Sequence, residues 1–462
     1  MLQQIAFFLV SLAALGFAGW QFSKIRRNVL LGQTETISGN SGQRWRNVLL
    51  VAFGQSRMFK RWIPALFHFF IYAAFLLTQV ELIEIFIDGL TGAHRFFYPR
   101  LGGFYVFVIS FIEVLSLLAL IATVIFLIRR NVLKLSRFTK PEMKGWPFKD
   151  ANIILYLEIA LIACIFTMNG TDEVLFNRGQ THAEGAEGVV GSFHFAVSSW
   201  LGPMLFGGIE SEGVLHALER AGWWGHILVV FAFLNYLPIS KHLHIILAFP
   251  NTYFARLKPR GEMKNMPEIM NEVKSMMGLG DGNGEGDMAA MDEELPEFGT
   301  KDVFGLSWKN ILDAYSCTEC GRCTAVCPAN ITGKKLSPRK ILMDIRDRAT
   351  EVGQKLESKD PQYAADPDKP LSKDNFDDGK SLFDYITSEE LAACTTCNAC
   401  VEACPVLIDP LDPILQMRRY EILTLSQGPG DWMPLFNSIE NQGSAWAMSV
   451  DRDAWTKELT NE

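Results

Sequence analysis

The sequence predicts an all-α protein in which five membrane-spanning helices are followed by a soluble helical domain. Three observations support this prediction: long apolar runs before residue 260, helix-start signals beyond residue 300, and almost no alternating strand patterns. The 462 residues are 49% hydrophobic and 20% charged, which excludes a disordered or collagen-like chain. The formal net charge of -8 gives no sign of nucleic-acid binding.

Five apolar runs in the first 260 residues are long enough to cross the bilayer core as helices, which takes about 20 residues. The runs lie at 2–22, 63–87, 103–128, 151–168 and 222–249. A weaker run at 189–207 contains Gly and Pro, so we expect a re-entrant or surface-lying helix there, with a sixth span as the alternative. Positive residues follow the first run, which is the reverse of a cleaved signal peptide. Residues 1–260 are therefore predicted to form a multi-pass membrane domain.

Basic residues predict the orientation of this domain. The connections 23–62 and 129–150 carry fifteen Lys and Arg residues, whereas the connections 89–102 and 169–221 carry four. Because short cytoplasmic loops are enriched in Lys and Arg, we expect the first pair in the cytoplasm. The N-terminus then lies outside, and everything after residue 250 lies in the cytoplasm. The predicted location is the bacterial cytoplasmic (inner) membrane.

The chain changes character after residue 260. Residues 261–300 are rich in Gly and acidic residues and are predicted to be a flexible linker, because they can bury little apolar surface. Residues 301–462 are predicted to form the soluble domain and a C-terminal tail. Within it, Ser337-Pro338, the Thr387–Glu390 pair and Asp412-Pro413 are typical of helix starts.

Two cysteine motifs of identical spacing, C-x2-C-x2-C-x3-C-P, lie in the soluble domain. In two-cluster ferredoxins the fourth thiolate of such a motif ligates the other cluster. The motifs therefore predict two [4Fe–4S] clusters with crossed ligands, and structural zinc is the alternative. The first cluster would take Cys317, Cys320, Cys323 and Cys404, and the second Cys394, Cys397, Cys400 and Cys327. The 66 residues between the motifs indicate an all-helical two-cluster ferredoxin.

Three histidines of the membrane domain suggest a haem site. His226 and His244 are 18 residues apart, so in one continuous helix they would share a face and lie about 27 Å apart, with His242 turned about 160° away. Depth in the membrane matches His244 with His68, which lies one turn into the second run, just past the cytoplasmic boundary. Their imidazoles would hold a haem b near the inner surface. The alternative is that they only line a helix interface.

The stretch HILVVFAFLNYLPISKHLHI, together with Phe67-His68, resembles the nitrate reductase gamma-subunit family of b-type cytochromes. This resemblance implies two haems. The second-helix ligand of an outer haem would fall ten residues after His68, where this chain has Thr78. His226 is then either without a partner ligand or paired with His194.

The stretches CTECGRCTAVCPA, LSPRKILMDIR, CTTCNACVEACPV and MRRYEI resemble the iron–sulfur subunits of heterodisulfide reductase-like and glycerol-3-phosphate dehydrogenase-like membrane complexes. The stretch NQGSAWAMSVDRDAW resembles their tail. Subunits of this group that reduce disulfides carry paired cysteines, and this sequence has no Cys-Cys pair. The resemblance therefore implies a separate partner, either a CCG-domain iron–sulfur protein or an electron-transfer flavoprotein.

Carboxyl groups at membrane depth suggest proton chemistry. Glu113 and Glu158 lie well inside the third and fourth runs, and Glu81 and Glu84 lie near the outer end of the second. Buried ionisable groups in membranes are costly, so Glu113 and Glu158 are predicted to be proton relays near a quinone, with structural pairing as the alternative.

Together these features predict a membrane electron-transfer subunit that connects a cytoplasmic partner, two [4Fe–4S] clusters, haem b and the quinone pool. Quinone is the only substrate expected at this subunit. The alternative is a membrane redox sensor or anchor for a partner iron–sulfur or flavoprotein subunit.

Overall fold

The structure is a computed structural model that describes residues 1–179, 194–279, 297–430 and 432–446, together with 453, 455 and 456. The described residues are 70% helical and form no strand beyond one isolated bridge between Gln33 and Ser307. Five helical segments are long and apolar enough to cross a membrane, which confirms the predicted fold class. These segments are Leu2–Val29, Ser41–Thr91, Gly103–Val132, Trp146–Asn177 and Glu212–Ile239.

Helices account for most of the chain up to residue 253. They are α1 (Leu2–Val29), α2 (Ser41–Asn47), α3 (Trp62–Leu77), α4 (Gln79–Thr91), α5 (Tyr98–Leu101), α6 (Gly103–Leu127), α7 (Trp146–Asn177), α8 (Ser198–Phe206), α9 (Glu212–Tyr236) and α10 (His244–Tyr253).

Shorter helices dominate the rest of the described chain. They are α11 (Pro267–Met276), α12 (Trp308–Tyr315), α13 (Arg322–Val326), α14 (Pro328–Ile331), α15 (Pro338–Ser358), α16 (Ser388–Ala392), α17 (Ala399–Ala403), α18 (Leu411–Arg419) and α19 (Met433–Gln442).

The membrane helices pack around α7, which lies against α6, α8 and α9. Close approach of α7 and α9 depends on Gly222, because a Cβ atom there would lie 2.7 Å from the backbone nitrogen of Met168. Small residues allow helices to approach closely in membranes, where packing is the main force of association. Apolar residues such as Trp223 and Ile227 fill the interface beside Met168.

Two of the predicted spans are not continuous helices. The 63–87 run is divided into α3 and α4 at Thr78, and the 222–249 run is interrupted after Tyr236 by two short 3-10 turns before α10 begins. The second break lies at Pro238, which has no N–H to continue the helical hydrogen bonds. The helical spacing assumed between His226 and His244 is therefore wrong, and so is the rotation assigned to His242.

The 189–207 segment does not form a sixth span in the described part of the chain. Residues 189–193 lie outside the described residues, and α8 covers only Ser198–Phe206. Nine helical residues extend about 14 Å, roughly half the thickness of the bilayer core. The helix packs against α7, as expected for a re-entrant or surface-lying element.

Two of the three predicted helix starts beyond residue 300 are confirmed. The Ser337 side chain accepts the Lys340 N–H at the start of α15, and Thr387 forms a capping box with Glu390 before α16. By contrast, α18 begins at Leu411, so the third start lies earlier than the Asp412-Pro413 signal predicts.

The segment predicted to be a flexible linker contains α11, with Met270, Val273 and Met276 exposed. Its residues 280–296 lie outside the described residues. Residues 447–452 and 454 of the C-terminal stretch that resembles the subunit tail also lie outside them.

Contacts divide the chain into two units that exchange short segments. The first unit comprises Met1–Arg27, Trp45–Tyr253 and Tyr315–Gly321, and the second comprises Asn28–Arg44, Phe254–Ala314 and Arg322–Glu462. Within the second unit, the Gln33 N–H donates to the Leu306 carbonyl, and the Trp308 N–H donates to the Gln33 carbonyl. The units therefore differ from the predicted domains 1–260 and 301–462, because these backbone pairs join distant parts of the sequence.

A fully buried arginine anchors the second unit. The Arg348 guanidinium donates to Asp302 and Asp378, each at 2.6 Å, and its side chain is 0% exposed. Burial alone would raise the pKa of Asp378, but hydrogen bonds from Arg348 and Lys355 outweigh it and hold that pKa well below its usual range. Asp378 is therefore ionised beside the guanidinium at neutral pH.

Replacing Arg348 with alanine should destabilise the second unit by about 3–5 kcal/mol, because Asp302 and Asp378 lose the buried guanidinium that pairs with both, and only Asp378 keeps a second cation, Lys355. The neighbouring Arg346→Ala is the matched control, since Arg346 pairs with the exposed Asp347 and such pairs contribute at most about 1 kcal/mol. Thermal unfolding of the full chain by circular dichroism measures both. Equal midpoints for the two variants would contradict the anchoring role.

Candidate cofactor sites

The two cysteine motifs fold in the same way. In the first, Glu319 and Gly321 on either side of Cys320 have positive φ angles of 51° and 71°. In the second, Thr396 and Asn398 on either side of Cys397 have φ angles of 55° and 60°. Non-glycine residues adopt this left-handed conformation rarely, and it curls the backbone tightly. Both loops can thus direct successive thiols toward a common centre.

Four thiols converge in the second unit. Cys394 interacts electrostatically with Cys327 and Cys397, and Cys400 interacts with Cys394 and Cys327. The helices that follow the first cysteines of each motif, α13 and α17, pack against each other. The structure therefore brings Cys327 from the first motif to three cysteines of the second, which is the crossed set predicted for one cluster.

This thiol set suits a metal centre. Burial raises the pKa of Cys394, and its sulfur neighbours raise it further. Burial and the nearby Asp409 raise the pKa of Cys400 to about 12. Several thiolates crowded together require positive charge to neutralise them, and iron supplies that charge in a thiolate-ligated cluster.

Two residues beside these thiols could not be identified from the cysteine spacing. Asp409 places a negative charge near Cys400, as its effect on that thiol shows. Arg418 donates to the Cys394 carbonyl at 2.8 Å and holds the start of the second motif. Arg418 lies within the MRRYEI stretch, so the resemblance of that stretch marked the region but not the contact.

Cys317 and Cys320, the first two cysteines of the first motif, lie in the Tyr315–Gly321 segment, which belongs to the first unit. In this segment, the Glu319 N–H donates to the Cys317 sulfur at 3.4 Å, and Glu319 forms a buried ion pair with Lys241. The Ser316 hydroxyl donates to the Leu247 carbonyl at 3.5 Å. The loop of Cys317 and Cys320 is therefore fixed to the chain that surrounds His242 and His244.

Asp150 holds this histidine-bearing turn. Its carboxylate accepts from Tyr236 at 2.6 Å, from the Ser240 hydroxyl at 2.7 Å and from the Lys241 N–H at 3.0 Å. Asp150 lies near the start of α7, and the Lys241 ammonium donates to the Pro147 carbonyl at 2.6 Å. The break after α9 is thus tied to α7 by a buried carboxylate, which sequence patterns alone could not indicate.

His68, His242 and His244 form a cluster in the first unit. The rings of His242 and His244 are 5.4 Å apart at 81°, and His242 stacks on Phe233 at 4.9 Å. His68 interacts electrostatically with His242. The sequence predicted two of these residues and excluded His242, because it treated the broken helix as continuous.

Hydrogen bonds at Nδ1 orient two of the imidazoles. His68 Nδ1 lies 3.1 Å from Gln55 Oε1, and His244 Nδ1 lies 3.0 Å from the Lys241 carbonyl. Each oxygen accepts, so Nδ1 carries the proton and Nε2 carries the lone pair that a metal ligand needs. Gln55 has a φ of 49°, a strained backbone that sets its side chain beside His68. These residues fit the bis-histidine donor set of haem iron.

The other two predicted haem residues are not brought together. His226 is buried on α9, and its Nδ1 has no hydrogen-bond partner among the described residues. His194 is half-exposed and forms an ion pair with Glu173. None of the described contacts joins the two histidines, so a second haem on this pair stays a prediction without structural support.

The two predicted relay carboxyls have different surroundings. Glu113 accepts from the Val197 and Ser198 N–H groups at 2.9 and 3.0 Å and from Asn169 at 3.1 Å. These bonds place a carboxylate at the start of α8, where free N–H groups favour negative charge. Glu158 is half-buried on α7 and has no hydrogen-bond partner among the described residues.

Comparison with known proteins agrees with the cysteine geometry. Residues 316–408 match the 4Fe-4S dicluster domain family. Such a domain combined with five apolar helices defines a class: an iron–sulfur electron-transfer protein associated with a membrane.

Particular relatives share this combination. The chain is similar to the probable iron-sulfur-binding oxidoreductase FadF of Bacillus subtilis (strain 168), with 29% identity over 448 residues, 93% of this chain and 57% of FadF. It is 25% identical over 428 residues to the EtfAB:quinone oxidoreductase of Syntrophomonas wolfei subsp. wolfei, covering 90% of this chain and 54% of the relative. A probable membrane-anchored ferredoxin of Chromohalobacter salexigens is 35% identical over 183 residues, 35% of this chain and 26% of the relative.

The chain thus spans about half the length of the first two relatives. No solved structure matches the chain.

Proposed function

We propose that this chain is the membrane electron-transfer subunit that passes electrons between a cytoplasmic partner and the quinone pool through two [4Fe–4S] clusters and one haem b. When bound, these groups carry single electrons, which the side chains of the protein cannot do. One observation carries the proposal: Lys241 joins the Cys317–Cys320 loop to the turn that bears His242 and His244, inside one unit.

The chain's own residues hold the groups in place. Cys317, Cys320, Cys323 and Cys404 would ligate the first cluster, and Cys394, Cys397, Cys400 and Cys327 would ligate the second. His68 and His244 would hold the haem iron through Nε2, each oriented through Nδ1. Asp150 and Lys241 fix the turn that bears His242 and His244 in place beside the Cys317–Cys320 loop.

These contacts support an order for the electron carriers. The Cys317–Cys320 loop is fixed beside the histidines, so a cluster held there would be the inner carrier, next to the haem site. Cys327, Cys394, Cys397 and Cys400 all lie in the second unit, so a cluster held by them would be the outer carrier, on the side of the partner. Neither direction of flow is favoured by this order.

We place the protein in the bacterial cytoplasmic membrane with the N-terminus outside and the iron–sulfur unit in the cytoplasm. The basic connection 129–150 supports this orientation, because its Arg130 interacts electrostatically with Lys241 at the end of the bundle that bears the first cysteine loop. Cytoplasmic loops are the ones enriched in basic residues.

The proposed partner is an electron-transfer flavoprotein or a CCG-domain iron–sulfur protein. The name of one relative, EtfAB:quinone oxidoreductase, supports both the flavoprotein and the quinone for this chain. Glu158 remains our candidate for a proton relay. The bonds of Glu113 to α8 favour a positioning role for that carboxylate instead.

The alternative function is a membrane redox sensor or anchor. Rapid reduction of the haem by quinol would argue against it, because a sensor needs no connection to the quinone pool.

Analysis of the purified full chain for iron, acid-labile sulfide and haem tests the proposed function. We expect about eight non-haem irons, about eight sulfides and one haem b per chain. Mixing with a quinol should then reduce the haem. Protein that is loaded with iron and sulfide but has no b-type spectrum would overturn the electron route proposed here.

A further inference from the structure

A buried polar network occupies the end of the bundle opposite to His68 and His244. It lies among α4, the C-terminal half of α7 and the N-terminal half of α9, whereas the haem histidines lie at the start of α3 and after the end of α9. At its centre, the Arg95 guanidinium donates to Asp172 and Asn169 at 2.7 Å and to Tyr105 at 3.1 Å.

Most carboxylates of this network have donors. Glu84 accepts from the Tyr105 hydroxyl at 2.6 Å and from the Phe97 N–H at 2.9 Å. Asp88 accepts from the Arg95 and Phe96 N–H groups. Glu219 accepts from Arg220. These acids are therefore stabilised in place by donors of the protein itself.

Glu81 differs from all of them. Its side chain is buried on α4, where the Asn169 amide interacts weakly with the carboxyl group and neither carboxyl oxygen meets full hydrogen-bond geometry with a described residue. The Asn169 amide also donates to Glu113. An ionised carboxylate that has no well-formed hydrogen bond is costly to bury. The site is therefore built for a carboxyl that carries its own neutralising proton.

A small cavity connects Glu81 to the network. Its volume is about 10 Å³, roughly the room for one water molecule. Its walls include Glu81, Glu84, Asp88, His94, Arg95, Glu219 and Trp223. Trp223 Nε1 also has no hydrogen-bond partner among the described residues. A water molecule here would have a donor and several acceptors within the walls.

The far side of the cavity reaches the surface. His94 Nε2 lies 3.1 Å from Asp172, and Arg220 lies 3.2 Å from His94 Nδ1. The His94 and Arg220 side chains are 21% and 34% exposed. Histidine can accept a proton on one nitrogen and release one from the other. His94 and Glu81 both line the cavity, so a water molecule there would connect the partly exposed imidazole with the buried carboxyl group once a His94 nitrogen releases its present partner.

We propose that Glu81 is an internal proton-exchange site, which binds a proton through His94 and a water in this cavity, at the end of the bundle opposite to His68 and His244. The proposal rests on the proposed function, because a quinone takes up two protons with two electrons and a quinol releases both. Glu81 would supply or accept one of these protons, alternating between carboxylic acid and carboxylate. His94 would restore it from solvent.

The charges that face Glu81 make this exchange sensitive to its surroundings. Arg95 places a positive charge near Glu81, and Glu84 and Glu113 place two further carboxyl groups near it. The titratable and charged groups on the packed elements are Glu84 and Asp88 of α4, His94 and Arg95 of the following loop, Glu113 of α6, Asp172 of α7 and Glu219 of α9.

Infrared spectroscopy of the oxidised full chain at neutral pH tests the proposal. The spectrum of the unmodified protein minus that of Glu81→Gln should contain the C=O band of a protonated carboxyl, shifted to lower frequency in D2O. The control Glu212→Gln removes an exposed carboxyl from the same end of the bundle and should leave that band unchanged. A Glu81→Gln spectrum that retains the full band overturns the proposal.

Two further variants, Glu81→Asp and His94→Gln, complete the test. If Glu81→Gln does not fold, Glu81→Asp retains the acid, and its band should move; an unmoved band overturns the proposal. His94→Gln should slow the D2O shift of the Glu81 band, and an unchanged rate overturns the route. The infrared measurement uses resting protein without quinone, so it is independent of quinone reduction. If the Glu81 band is missing but the protein reduces quinone normally, only the proposed proton site is contradicted. A normal band without quinone reduction contradicts only the proposed function.

Discussion

Replacing Cys327 with alanine should remove the second cluster and leave the first. The physical reason is that Cys327 lies with Cys394 and Cys400, so its loss opens the ligand set of the second motif. Iron content should fall from about eight to about four atoms per chain. Electron paramagnetic resonance of the reduced full chain then reports which cluster remains.

Matched variants make the assignment of ligands unambiguous. The spectrum of Cys327→Ala should equal that of Cys397→Ala, because both remove a ligand of the second cluster. Cys320→Ala and Cys404→Ala should share a different spectrum. If Cys327→Ala resembles Cys320→Ala instead, the ligands are not crossed and each motif holds its own cluster.

Replacing either His68 or His244 with alanine should abolish the b-type haem spectrum, because one axial imidazole cannot keep a low-spin bis-histidine iron. We expect His242→Ala to retain the haem with altered absorption, since His242 stacks on Phe233 beside the two ligands. Visible spectroscopy of the reduced, purified full chain measures all three.

The control for this series is His216→Ala, at the far end of α9 from the histidine cluster, which should leave the spectrum unchanged. A haem that survives His244→Ala and disappears in His242→Ala would identify His242 as the ligand. Iron content should stay near eight in every histidine variant, which separates haem loss from general misfolding.

Local signals in the sequence predicted much of this molecule. The five spans follow from apolar length, and the capping residues Ser337 and Thr387 act on their own helices. The cysteine spacing likewise predicted the matched dicluster domain, because a short loop alone determines how neighbouring thiols can converge.

Residues whose roles depend on distant partners could not be predicted in this way. Lys241 and Glu319 meet across 78 positions of sequence, and Asp150 meets Ser240 across 90. The sequence-based prediction excluded His242 because it applied the rotation of a continuous helix, about 100° per residue, to a chain that breaks at Pro238. Glu81 was noticed as a deep acid, but only the structure distinguishes it from its hydrogen-bonded neighbours.

The exchange of short segments between the two units has a consequence for biogenesis. Gln33 leaves the ribosome about 270 residues before Ser307, with which it forms a bridge in the second unit. The Tyr315–Gly321 segment in turn completes the first unit after all five spans have been synthesised. Neither unit can therefore mature co-translationally by itself. A truncated gene that begins at the 261–300 segment would encode a fragment lacking one of its own backbone partners.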